Sequence, residues 1–394
     1  MNPSLPLLKV CCGVDVSAAD FHCRLLGLAA GDLAERSLGR RKFANDAAGH
    51  ADFIRWLGER SPAGVAAVVV VEATGVYHEA LAYAAHAAGV RIAVELPNKI
   101  AHFARSFNEH SKTDPKDALA VARFGLYRDV RAWEPFSPRT RALKLLAREY
   151  QQLEAALTRA RGQRHARSRT HGGSPASAER LAARIALLED QREAVLAEMK
   201  AVAAADERLA RGVAVLTSIY GVGERTALAV LGETDGFRLF TTRAQLIKYA
   251  GYDVVERQSG TSVSGRTRIS KRGNAALRKA LFFPSMRARE RGIFAAVYAR
   301  QLERSGRRMS ALVAVQRKLL ITMYALVKRD EFYVEDYHKR APGDVAEGRS
   351  APSVPRGKGA GRPEDRPAVA APSEEGRLNV SKGKKRENLA PALA

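Results

Sequence analysis

Two apolar runs in this 394-residue chain each end in a carboxylate. Asp15 closes the run 7–14, and Glu72 closes the run 65–71. Both runs have the length and β-branched content of buried strands. A carboxylate at the end of such a strand costs free energy unless something cationic holds it. Asp114 and Asp117 are three apart at the start of a helical stretch, so they can face the same way. Four carboxylates brought together repel one another unless Mg²⁺ or Mn²⁺ sits between them. Two such ions clamp the attacking and leaving oxygens of a phosphodiester. Taken singly the acids have plainer roles: Asp15 as a turn residue, Glu72 as an arginine partner, Asp114 as a helix cap with Asp117 favourable in its first turn.

A second set of reactive residues lies in the stretch 257–274, which reads Arg-Gln-Ser-Gly-Thr-Ser-Val-Ser-Gly-Arg-Thr-Arg-Ile-Ser-Lys-Arg-Gly-Asn. Its small residues and glycines predict a flexible loop. Arg266, Arg268, Lys271 and Arg272 follow, then a helix from about Asn274 that bears Arg278 and Lys279. One reading is a solvent loop with a basic helix start that binds phosphate. The sharper one makes a serine the nucleophile toward a phosphodiester, with the cations steadying the charge on the phosphoryl oxygens. Residue chemistry alone leaves Ser259, Ser262 and Ser264 open. Upstream, the words around Gly221-Val222-Gly223 predict helix, tight turn, helix, and glycines there let backbone N–H groups approach a phosphate as in a helix-hairpin-helix. The plain alternative is a turn that only connects helices. Arg159, Arg161, Arg164, Arg167 and Arg169 crowd eleven residues with no acid between them, which favours phosphate contact over a merely solvated face.

Composition agrees with a nucleic-acid partner. The formal charge is +23, and residues 341–394 hold 10 Lys/Arg and 7 Asp/Glu, a net +3 that leaves +20 on the body. No apolar stretch is expected to span a membrane, and the N-terminus lacks the pattern of a signal peptide. Three cysteines, Cys11, Cys12 and Cys23, form no CxxC pair, which fits a reduced cytoplasm and not a structural zinc site.

The elements that must position these residues follow from pattern. Residues 7–135 read as hairpin strands and then strand–helix alternation, which implies a mixed sheet with helices on its faces. Residues 138–210 read as a long antiparallel helical hairpin. Leu143, Leu146, Tyr150, Leu153 and Leu157 step by three and four, and Leu181, Leu188, Val195 and Val202 recur every seven. Ile185, Arg192 and Met199 make the second seam position irregular, so the hairpin reads either as a subdomain packed on the sheet or as an oligomerising coiled coil. Residues 211–337 are mostly helical, and 338–394 have the composition of a disordered tail.

The words around these residues carry a resemblance. Gly13-Val14-Asp15-Val16-Ser17, Glu72-Ala73-Thr74-Gly75 and Lys112-Thr113-Asp114-Pro115-Lys116-Asp117-Ala118, in this order, resemble the RuvC-like, ribonuclease-H-like domain of DEDD transposases in the insertion-sequence family numbered one hundred and ten. Ile269-Ser270-Lys271-Arg272-Gly273-Asn274 is similar to the motif of that family's C-terminal transposase domain, in which a Ser-Gly pair lies shortly upstream. The resemblance places the catalytic serine at Ser259, with Ser264-Gly265 a second candidate. Tyr220, Val254 and Gln258 depart from residues common in the family. The resemblance implies a DNA transposase or site-specific recombinase with divalent metal on Asp15, Glu72, Asp114 and Asp117. It also implies a transient phosphoserine link to donor and target DNA, and a structured RNA that base-pairs with both. A dimer or tetramer in the cytoplasm, associated with the nucleoid, is the expected setting. The rival expectations are a water-using metal nuclease of the junction-resolving kind, a non-enzymatic nucleic-acid-binding protein, and an inactive copy of the transposase.

Overall fold

The computed structural model describes residues 6–73, 75–107, 114–259 and 263–335, with the backbone alone for 114–116, 256–259 and 263–266. The tail expected to be disordered lies outside these residues. Three strands open the fold as an antiparallel meander: β1 (Leu7–Val16), β2 (Asp20–Ala29) and β3 (Glu35–Ala44). Then come α1 (Ala47–Arg60), β4 (Ala67–Glu72), α2 (Glu79–Ala87), β5 (Ile92–Glu95), α3 (Pro97–Arg105) and α4 (Asp114–Tyr127). The sheet order is β3-β2-β1-β4-β5, with β4 parallel to both β1 and β5. The mixed sheet expected from the sequence is thus present.

Both faces of the sheet are covered, which explains why β1 and β4 are apolar almost throughout. On one face Phe53, Trp56, Leu57, Leu81 and Ala82 of α1 and α2 pack against Val10, Cys12, Val14, Val69 and Val71. On the other, Ile100 of α3 and Val121, Ala122 and Phe124 of α4 pack against Cys11, Val68 and Val70. The approach of α4 is unusually close. A Cβ on Gly13 would lie 2.1 Å from the Ala122 backbone nitrogen, and one on Gly125 would lie 2.3 Å from the Cys11 Sγ.

The helical hairpin is α5 (Pro138–Arg167) and α6 (Pro175–Ala204), each opened by a proline in its first turn. Leu143, Leu146, Tyr150 and Leu157 of α5 are buried, as are Leu181, Ile185, Val195 and Met199 of α6. Ile185 and Met199, at the second seam position, are 3% and 1% exposed, deeper than Leu181 and Val195 at 7% each. The seam divides along its length. Its far end is a small separate cluster of Leu157, Ala160, Leu181 and Ile185, while Leu143, Leu146, Tyr150, Val195 and Met199 merge into the core of the C-terminal helices.

That region contains α7 (Glu207–Thr217), α8 (Glu224–Thr234), α9 (Arg243–Ala250), β6 (Val254–Ser259), β7 (Val263–Ile269), α10 (Ala275–Ala280), α11 (Phe282–Ala288), α12 (Gly292–Ser305) and α13 (Arg308–Arg329). Two expectations need correction here. On either side of residues 260–262, which lie outside the described residues, the stretch read as a flexible loop pairs as two antiparallel strands, Val254–Ser259 and Val263–Ile269. Its β-branched residues Val254, Val255, Val263, Thr267 and Ile269 outweigh the glycines. Second, α13 is long and apolar enough to cross a membrane by length and composition, its most apolar 18-residue stretch having a mean hydropathy of 1.4. Its Val315, Leu319, Leu320 and Met323 lie in the core, and the helix packs against α7, α9, α11 and α12.

Candidate catalytic edge and nucleic-acid interface

Strand alternation decides where the acids point. Val10, Cys12 and Val14 of β1 enter the α1–α2 core, while Cys11 and Gly13 face α4, so Asp15 falls on the α4 face. In β4, Val69 and Val71 face α1–α2 and Val68 and Val70 face α4, so Glu72 falls on the same side. Val14 pairs with Val71 in the parallel ladder, which makes Asp15 and Glu72 neighbours at the carboxyl ends of adjacent strands. The helix runs the right way to join them. Gly125 packs over Cys11 and Val70, and Ala122 and Ala118 pack over Gly13. Following α4 back to its first turn therefore leads toward Asp15. Asp117 lies in that turn, and Asp15, Glu72 and Asp117 are all half-buried. None of the three is without an interaction partner. The side chain of Asp114, which starts α4, lies outside the described residues. Among the described residues no three His, Cys, Asp or Glu side chains form a ready group for an ion.

Two features of this edge escaped the sequence reading. Glu95 sits opposite Glu72 in the β4–β5 ladder, buried, and Ala93 two residues before it faces α4, which places a third strand-end acid on the same face. Its signal was the same as for the other acids, a short apolar run closed by a carboxylate. Lys99 of α3 compensates it, with Nζ 2.6 Å from Glu95 Oε2. The second feature is Asn45. Its Nδ2 donates to the carbonyls of Ser17 at 2.9 Å and Tyr77 at 3.1 Å. These carbonyls lie in the segments that follow Asp15 and Glu72, so one amide ties both together. His50 Nε2 in turn bonds Asn45 Oδ1 at 2.8 Å. Burial pulls the His50 imidazole below its ordinary value, and since Asn45 Oδ1 can only accept, Nε2 carries the proton.

At the second candidate centre, Ser259 ends β6 opposite Val263, and Ser264 lies opposite Gln258. The side chains of Ser259, Ser262, Ser264 and Arg266 lie outside the described residues. The stem below them is closed by backbone hydrogen bonds: the Ser270 N–H donates to Asp253 O at 2.7 Å and the Lys271 N–H to Gly251 O at 3.1 Å. Arg268, Lys271 and Arg272 are exposed beside it. Arg278 is half-buried and donates to Ala250 O at 2.8 Å, so it braces α9. Lys279 is exposed and donates to Gln151 O of α5. It borders a cleft with Arg225, which lies 5.4 Å over the Tyr150 ring, and with the exposed Phe283.

The remaining basic positions divide by environment. Arg159, Arg161, Arg164, Arg167 and Arg169 are all exposed near the far end of α5. Arg161 pairs with Glu189 of α6 at 2.6 Å, and Arg167 donates to Ser177 O and Oγ. Gly221 has a φ of +85° and no room for a side chain, since a Cβ would lie 2.7 Å from Arg287 Cβ. Its glycine is required by packing on α11. Gly223 caps α8 and has open space around it.

A family model for DEDD transposases of insertion element IS110, described as "Transposase", matches residues 12–167. A second, described as "Transposase IS116/IS110/IS902 family", matches residues 213–299. The chain belongs to the IS110 transposase family. As a transposase it is an enzyme that acts on DNA, and the two matches span the strand-end acids and the serine hairpin respectively. Among its relatives, the "Pilin gene-inverting protein" of Moraxella lacunata is 25% identical over 75% of this chain and 91% of its own. The protein of the same name from Moraxella bovis is 24% identical over the same shares. The transposase is 31% identical to the "Insertion element IS110 uncharacterized 43.6 kDa protein" of Streptomyces coelicolor, over 39% of this chain and 37% of that one. Among solved structures it resembles Thermus thermophilus RuvC at 18% identity and a TM-score of 0.24, over 29% of this chain and 91% of that one. RuvC of T. thermophilus in complex with a Holliday junction substrate gives 18% identity and a TM-score of 0.23, over 30% and 97%.

Proposed function

We propose that this transposase cuts and rejoins DNA at specific sites through two cooperating centres. The observation that carries the reading is the Val14–Val71 register, which aligns Asp15 with Glu72 on the face where α4 delivers its acidic first turn. Asp15, Glu72, Asp117 and Asp114 offer hard oxygen donors, the set that Mg²⁺ or Mn²⁺ prefers. Held there, divalent ions would polarise the scissile phosphate and neutralise charge on its oxygens. Asn45, through Ser17 O and Tyr77 O, keeps the two strand ends in place.

Ser259 supplies the nucleophile. Its Oγ bonds to phosphorus while the bond from phosphorus to one deoxyribose oxygen breaks. The serine proton passes to water, and the released oxygen takes up a proton. In the reverse step a deoxyribose hydroxyl from the new partner strand attacks the phosphoserine and frees the serine. No net hydrolysis occurs, so the energy of the phosphodiester is retained. Arg268, Lys271 and Arg272 line the approach to the hairpin as cations for the phosphate backbone. The tip arginines of α5 and the Gly223 end of α8, in a helix-hairpin-helix-like role, extend this footprint.

Sequence choice by a structured RNA that pairs with donor and target DNA is part of the same reading. A body charge of +20 suits holding both nucleic acids. Inversion, the activity in the printed names of the Moraxella relatives, is a site-specific recombination of this kind. The α5–α6 hairpin serves as the coiled-coil element of a dimer or tetramer, in a cytoplasmic, nucleoid-associated setting.

The test is to express the protein with its flanking DNA, purify it under denaturing conditions and sequence any DNA still attached. Retention by the wild type and loss in Ser259→Ala is the expected result. An adduct lost only in Ser264→Ala moves the nucleophile to that residue. Cut product with no adduct in any form would replace the serine mechanism with water attack.

A further inference from the structure

Glu233, at the end of α8, is a carboxylate with no exposure to solvent. Such a group is costly in a core unless it is paired and hydrogen-bonded. Here three donors reach it, one on Oε1 and two on Oε2. Arg148 of α5 donates to it twice, Nε to Oε1 at 2.7 Å and Nη2 to Oε2 at 3.1 Å. Asn274 Nδ2 donates to Oε2 at 2.6 Å. The main chain of the same residue is engaged as well, since Tyr249 Oη donates to Glu233 O at 2.8 Å.

The partners come from two elements that also meet one turn away, where Gln151 of α5 donates to Ala276 O and accepts from Lys279 of α10; Glu233 adds the buried, charged link between them. Arg148 belongs to the long helical hairpin. The adjacent Gly232 lets α8 press on α5, for a Cβ there would lie 2.9 Å from Lys144 N. Asp235, two residues on, accepts from Ser137 N and Thr140 Oγ1 at the start of α5. Asn274 belongs to the other side. It follows directly on the stem of the β6–β7 hairpin, its N–H donates to Tyr249 O at 2.7 Å, and its Oδ1 caps α10 by accepting from Leu277 N at 2.9 Å. The stem has no slack, because a Cβ on Gly273 would lie 2.4 Å from Tyr249 O. An apolar contact would hold these helices together equally well. A bidentate ion pair with a third donor adds direction, since each hydrogen bond fixes an angle as well as a distance.

We propose that Glu233 is a positioning residue for strand exchange: by bonding Arg148 and Asn274 together it locks the orientation of the Ser259 hairpin to the α5–α6 helical hairpin. The inference rests on the reading of Ser259 as nucleophile. It assigns Glu233 no contact with DNA.

The experiment uses the full chain with its DNA, in Glu233→Gln and in Asn274→Ser. The second variant keeps a hydroxyl to cap α10 and loses the donor to Glu233, so it tests the link even where Glu233→Gln does not fold. At saturating DNA the rate of covalent adduct formation falls about 100-fold in both, the scale for a misplaced reacting group. DNA affinity and its salt dependence stay within about threefold, because no phosphate contact is removed. Nitroxides placed at the exposed positions Glu149 on α5 and Arg268 on β7 report the geometry directly. The distance distribution is narrow in the otherwise wild-type protein and broadens in both variants. The pair Arg148→Gln with Glu233→Gln, two amides able to bond side by side, restores adduct formation by at least about tenfold over Glu233→Gln. Unchanged distance distributions in the folded variants, or adduct rates within about threefold of wild type, overturn the proposal. An adduct that persists in Ser259→Ala overturns the serine reading instead and leaves the distance measurement to decide on Glu233.

Discussion

His50 and Asn45 share a hydrogen bond of 2.8 Å, and through it a buried imidazole in α1 orients the amide that holds together the segments following Asp15 and Glu72. The proposed acids Asp15 and Glu72 close adjacent strands, and the segments just beyond them are tied together by a residue from neither strand. Asn45→Ala is therefore expected to weaken Mg²⁺-dependent cleavage by about 10–100-fold, the range for groups that orient a metal site without touching it. Titrating cleavage against Mg²⁺ checks this, with the loss appearing as a higher metal requirement.

The same pair sets an acid limit. Burial holds the His50 imidazole below its ordinary 6.5. A base with a depressed folded value contributes stability that is present above the unfolded value and lost as pH falls through the folded one. Thermal stability is expected to drop as pH is lowered from about 6.5, and His50→Gln, which cannot titrate, is expected to flatten that limb of the curve.

Gly13 has no space for a methyl group, because the backbone of α4 lies where its Cβ would be. Gly13→Ala must push α4 off the sheet, at a cost of roughly 3 kcal/mol by the scale of overpacked cores. Since α4 also brings Asp117 to the proposed metal-binding edge, cleavage is expected to fall further than stability does. Denaturant unfolding and cleavage rates measured on one preparation separate the two effects.

Asp15→Ala is expected to abolish strand cleavage and leave DNA and RNA affinity within about threefold, since one carboxylate at the sheet edge adds nothing to a basic footprint. Equal loss of cleavage and binding would remove the case for a metal role.

Charge at the far end of the helical hairpin is expected to act uniformly. Arg164→Ala and Arg169→Ala are each expected to lower the slope of log affinity against log salt by about one, as for a lost phosphate contact. Arg161→Ala is expected to do less, because its guanidinium is already shared with Glu189 at 2.6 Å. Equal slopes in all three variants would place the nucleic acid elsewhere.

Much of this molecule was legible in its sequence because it is local. A carboxylate after an apolar run, acids three apart behind a proline, and leucines stepping by three and four are read within one element, where chain geometry alone fixes which way side chains point. So the mixed sheet, the helical hairpin and the positions of Asp15, Glu72 and Asp117 could be stated in advance. Other features were decided only by tertiary structure. Glu95 becomes a neighbour of Glu72 through strand register. Gly221 is held by Arg287, Asn45 reaches carbonyls 28 and 32 residues away, and Glu233 meets Arg148 across 85 residues and Asn274 across 41. The serine stretch, rich in glycine, reads locally as a loop, yet pairs as strands once Ser270 and Asp253 close its base. Periodicity tells which face of an element is buried. Which partner covers that face, and in what register, depends on contacts between residues far apart in the chain, and no local pattern encodes those.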